Sequence, residues 1–127
     1  MGVSQIIMLS QNLKPSDMNK DIACDLTVFP AEKRNSHEEQ SLSIVNNAKR
    51  IKELNDGYSF YHDYSEEAFT SIAKWITGES KCCPFFTFEL ALEPKEKSYE
   101  IALRLRGSKE IKQFLKYGFQ ERGVKFG

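Results

Sequence analysis

The chain has 127 residues, 18 Lys and Arg against 18 Asp and Glu, 40% hydrophobic residues and three cysteines. That length favours one core. Net neutrality removes the long-range attraction that nucleic-acid and anionic-membrane binders use, so neither partner is expected.

The longest apolar runs, Ile6-Ile7-Met8-Leu9 and Cys82-Cys83-Pro84-Phe85-Phe86, fall far short of the roughly 20 residues that span a bilayer. Met1-Gly2-Val3-Ser4-Gln5-Ile6 has no charged, apolar and cleavage regions of a secretory signal, and Ile6 sits where a myristoylation signal wants Ser or Thr. A cytoplasmic protein is expected. There, three cysteines, an odd number with two adjacent, suit core, metal-binding or redox roles better than a disulfide framework. Residues 1–22 read as a loosely structured arm and 23–127 as a single domain.

In residues 24–29, Cys24, Leu26 and Val28 alternate with Asp25 and Thr27, the pattern of a short half-buried strand that Pro30 ends. A helix follows. It starts either at Pro30, suited to a first turn, or at the capping-box pattern Ser36-His37-Glu38-Glu39. Leu42, Val45, Ala48, Ile51 and Leu54 then form a single apolar stripe that Asn55-Asp56-Gly57 stops. Tyr58, Phe60 and His62 alternate with Ser59 and Tyr61 as a second strand.

Ser65 followed by Glu66 and Glu67 supplies an N-cap and first-turn acids for a second helix. Phe69, Ile72, Ala73 and Ile76 make its apolar face, with Trp75 on the flank, and Pro84 ends it at 80–82. Phe86, Phe88, Leu90 and Leu92, then Tyr99, Ile101, Leu103 and Leu105, are two period-2 runs about a polar turn. They predict an antiparallel hairpin, with Glu89 or Glu93 pairing to Arg104 across its wet face. Gly107-Ser108 caps a last helix bearing Ile111, Phe114 and Leu115 and ending at Gly118. The order β-α-β-α-β-β-α predicts an α+β two-layer sandwich with helices on one face of the sheet. Such a sheet leaves an edge and a face open, which a second copy could cover, so a homodimer is compatible with the pattern.

Reactive groups concentrate in Glu79-Ser80-Lys81-Cys82-Cys83-Pro84. On a helix Cys83 projects near the centre of the apolar face, Glu79 lies on its border, and Cys82 is turned further out. A carboxylate three and four residues before two thiols can reach either sulfur, as fellow ligand or as base. Adjacent cysteines do not close a relaxed disulfide, whereas a thiolate pair can chelate a thiophilic ion such as zinc, copper or mercury. Cys24 is a candidate third sulfur and His62 an additional ligand.

The competing reading is that all three cysteines only pack, as buried free cysteine often does. A helix C-terminus also raises a thiol's pKa, an effect Lys81 partly offsets. Under that reading the chain is a non-catalytic ligand-binding or interaction module whose surface uses Trp75, Tyr58 and Phe85. A thiol-redox enzyme is a third reading and requires a reactive thiolate. His37 and His62 read as surface or strand-edge residues, and no G-x-S-x-G accompanies them. Glu38-Glu39 and Glu66-Glu67 read as solvated first-turn acids.

The segments Ala23-Cys24-Asp25-Leu26, Asp56-Gly57-Tyr58-Ser59-Phe60, Glu79 through Leu90, Leu103 through Gly107 and Ile111 through Leu115 together resemble a small uncharacterised bacterial family. Its pattern is ACDL…DGYxF…ExxCCPFxxFxL…LRLxG…KxFL, and the family is loosely associated with heavy-metal-resistance gene neighbourhoods. The resemblance implies a soft-metal or thiol role. The matching positions are Cys24, Glu79, Cys82 and Cys83.

Overall fold

A computed structural model describes residues 24–121 and 123; the expected 1–22 arm lies outside them. Helix α1 spans Ala31–Asn46, strands β1 and β2 span Arg50–Leu54 and Gly57–Asp63, and helix α2 spans Glu66–Cys82. Strands β3 and β4, Thr87–Pro94 and Tyr99–Arg106, precede helix α3, Lys109–Glu121. The strands form one antiparallel sheet of order β1-β2-β4-β3. Two hairpins therefore meet along β2 and β4.

The period-2 pattern decides what faces the helices. In register, Phe60 stands opposite both Ile51 and Leu103, and Leu105 opposite Tyr58 and Phe88. These side chains join Ile44 of α1, Ile72 and Trp75 of α2, and Ile111, Phe114 and Leu115 of α3 in a single core. The helices thus cover one face, giving the α+β two-layer architecture expected from the sequence. Gly57 has a specific reason to be glycine: a Cβ there would overlap the backbone oxygen of Leu105 on the neighbouring strand.

On the other face, Arg104 pairs with Glu93, and Arg106 pairs with Glu89 and Asp56. Glu89 stands directly opposite Arg104 in register, but it pairs with the diagonal Arg106, while Arg104 reaches further along β3 to Glu93. Glu100 is buried there beneath Arg50, Lys49 and Lys95.

Three expected elements differ. Residues 24–29 form no strand, because Asp25 accepts hydrogen bonds from the Thr27 amide and hydroxyl. That local bond curls Leu26–Val28 into a 3-10 turn, a side chain outcompeting a ladder. The fourth strand is β1, which the helical stripe through Ile51 and Leu54 had hidden. Helix α1 begins directly after Pro30 and ends at Asn46, and Lys49 then donates its amide to Tyr61 O at 2.7 Å, starting the ladder. Helix α3 also runs through Gly118, which is buried against the core, to Glu121. No described helix is long and apolar enough to cross a membrane.

Candidate metal centre

Helix α2 is capped by Ser65, which accepts a hydrogen bond from the Ala68 amide. Its buried side chains are Ile72, Trp75, Glu79 and Cys82, spacings of three and four that share one face. Trp75, expected on the flank, lies at the centre of that face and donates its indole N–H to Ser41 Oγ at 2.8 Å. A buried Trp adopts such a position when its N–H finds a partner.

The end of α2 is joined to the segment before α1. The Asp25 amide donates to Cys82 O at 2.8 Å, and the Cys83 amide to Glu79 O at 2.7 Å. The first bond lays residues 24–26 over the last helical turn, bringing the Cα atoms of Cys24 and Cys83 to 4.6 Å. Their sulfurs are joined in a disulfide. The expectation of no disulfide is thus corrected, since the proximity that makes Cys24 a third sulfur also lets it bond to Cys83. Adjacent Cys82 and Cys83 remain unbridged, as their geometry requires, with Cys82 a free thiol.

Cys82 Sγ lies 3.3 Å from Cys83 Sγ and donates to Glu79 Oε1 at 3.7 Å. One ligand atom from each of Cys24, Glu79, Cys82 and Cys83 falls within 4.8 Å of all the others, and all four residues are buried. Cys82, expected to turn outward, is fully enclosed, and Glu79, expected on the border, is only 5% exposed. The cause is again the 24–26 segment, which covers a helix side that a single-helix projection leaves bare. His62 is not in the cluster. It lies on β2 opposite Ile101, and its imidazole is held below the usual histidine range by burial.

His37 was not anticipated. It is buried on α1, and its Nε2 hydrogen-bonds to Glu79 Oε1 at 2.8 Å, with the Phe29 ring 4.4 Å away. A sequence signal did exist: His37, Ser41 and Ile44 share the α1 face turned to α2, but the capping-box pattern masked it.

Burial pushes the Cys82 thiol well above the ordinary range, and the charges of Glu79, Asp25 and Glu38 push it further. The surroundings repel a bare thiolate and would favour a cation. A tetrahedral ion with bonds near 2.3 Å sets its sulfurs about 3.8 Å apart, and the four donor atoms here lie within 4.8 Å of one another. A cavity of about 70 Å³ adjoins the cluster, bounded by Cys24, Glu79, Trp75, Phe86, Phe114 and Leu115 among others.

No protein-family model, curated protein or solved structure matches this chain.

Proposed function

We propose that this protein binds a thiophilic metal ion in its reduced form, with Cys24, Cys82 and Cys83 as sulfur ligands and Glu79 as the oxygen ligand. The observation that carries this reading is the convergence of four buried donor side chains within 4.8 Å. Three sulfurs and one carboxylate make a set suited to zinc, copper(I) or mercury(II). His37 holds the carboxylate, as the outer partners of metal ligands do. The disulfide form cannot bind in this way because two of its sulfurs are bonded to each other. In a reducing cytoplasm, where the sequence reading puts the chain, the dithiol would be the working state.

The test is titration of fully reduced protein with zinc, and with cobalt(II) as a spectroscopic probe of sulfur ligation. One equivalent should bind tightly, with sulfur-to-cobalt charge-transfer bands that weaken in Cys82→Ser and Cys83→Ser. A second reading, a binding or interaction module with structural cysteines, draws on the complete burial of Cys82 and Cys83. It predicts no thiol-dependent metal uptake by the reduced protein, and that result would replace the metal reading.

A further inference from the structure

Of the three cysteines in the cluster, one lines the cavity beside it. Cys24 lines it, Cys82 and Cys83 do not, and the lining is almost wholly apolar. Its volume, about 70 Å³, is under half of the roughly 150 Å³ that admits benzene in an engineered protein cavity. Its small volume disfavours a bulky oxidant, and its apolar lining disfavours a charged one. A small neutral molecule meets neither obstacle.

We infer that the metal-loaded site is a peroxide-responsive release centre, in which a small hydroperoxide enters this cavity, oxidises Cys24, and the Cys24–Cys83 disulfide expels the metal. The inference rests on the metal reading above. Metal coordination holds each ligating sulfur as a thiolate, the nucleophilic form. Cys24 sulfur attacks one peroxide oxygen, the O–O bond breaks, and hydroxide leaves, giving a sulfenic acid on Cys24. The Cys83 thiolate then attacks that sulfur, forming the S–S bond and releasing the second hydroxide. Two electrons pass from the two sulfurs to the peroxide, and two protons from solvent convert the hydroxides to water. The ion keeps its charge but loses two anionic ligands. The product has the bond present in the structure, and a dithiol reductant reverses it by thiol–disulfide exchange.

The experiment uses the reduced, zinc-loaded full chain, with released zinc followed by a chromogenic chelator and connectivity read by mass spectrometry. Hydrogen peroxide should release one zinc per disulfide formed, leaving the disulfide at Cys24–Cys83 and Cys82 alkylatable after denaturation. Cumene hydroperoxide and glutathione disulfide, too large for the cavity, should each act at least an order of magnitude more slowly. In Cys24→Ser, zinc retained on the other ligands should resist peroxide. If that variant binds no zinc or fails to fold, connectivity and the oxidant series on the wild type decide. A Cys82–Cys83 or intermolecular bond, equal rates for the bulky oxidants, or zinc retained under peroxide overturns the inference while leaving the metal reading standing. Failure of the reduced protein to take up zinc at all overturns both.

Discussion

His37 Nε2 and Glu79 Oε1 lie 2.8 Å apart in the interior, tying helix α1 to the last turns of α2. This bond fixes the orientation of the one oxygen donor in the cysteine cluster. In His37→Ala the buried carboxylate keeps, among the described residues, the weak Cys82 thiol donor, at a cost of about 1–3 kcal/mol in folding stability. Loss of an outer partner of this kind lowers metal affinity roughly 10–100-fold. Calorimetric zinc titration of reduced His37→Ala and Glu79→Gln should show both weakened. Wild-type affinity in both would remove Glu79 from the ligand set.

Gly78 makes that bond possible. A Cβ there would lie 3.2 Å from His37 Cε1 and 3.3 Å from Phe29 Cε1, tight enough to displace either ring by a few tenths of an ångström. Against this, alanine in a helix interior is worth about 1 kcal/mol over glycine. Gly78→Ala should therefore change stability by less than about 1 kcal/mol while weakening zinc binding through the displaced imidazole. Denaturant unfolding alongside zinc titration separates the effects. Large destabilisation with unchanged affinity would mean that the glycine serves only helix packing.

The cluster also predicts an ordering of stabilities. The disulfide closes a loop of sequence separation 59, for which chain entropy gives about 4 kcal/mol of stabilisation relative to the reduced apo chain. Zinc at a free concentration about 1,000 times its Kd contributes about 4 kcal/mol as well. Thermal melts should place oxidised protein and reduced zinc-loaded protein close together, with reduced apo protein well below both. Zinc that fails to raise the melting temperature of the reduced form contradicts the metal site. Zinc that raises the oxidised form equally contradicts the exclusivity of the two states.

The parts legible in the sequence were those governed by local period. The hairpin of β3 and β4 follows from uninterrupted alternation of apolar and polar residues, and Ser65 and Pro84 bracket α2 as their backbone chemistry requires. The members of the buried cluster, Cys24, Glu79, Cys82 and Cys83, are also readable, because their chemical types are conspicuous. Their inward direction was not, since the Asp25 to Cys82 hydrogen bond that covers the last turn of α2 is a long-range contact. Nor was β1, where Ile51 and Leu54 satisfy a helical spacing equally well and tertiary pairing with β2 decides. His37 is illegible for a similar reason: one histidine among polar neighbours looks solvated until a second helix is packed against it.

The opposite face of the sheet holds a buried carboxylate, Glu100. Glu100 accepts both guanidinium hydrogen bonds of Arg50, at 2.8 and 2.9 Å, and ion-pairs with Lys49 and Lys95. Those partners, Arg50 foremost, hold its carboxyl down from the ordinary 4.5 to about 2, against the opposing effect of burial. Because the folded pKa lies below the unfolded one, the contribution is fully present above pH about 4.5 and is lost as pH falls towards 2. Across that window the unfolded chain takes up a proton that the folded chain refuses, so acid favours unfolding. Denaturant melts between pH 6 and pH 2 should show a steep acid limb in the wild type that is shallower in Glu100→Gln, with the two curves converging at the acid end. The variant should be the less stable at neutral pH, because Arg50 and Lys95 then lose their shared carboxylate and Lys49 keeps Asp63 alone of its two acidic partners. An unchanged acid limb in Glu100→Gln would assign the acid sensitivity to other carboxylates and leave the Glu100 cluster without a titrating role.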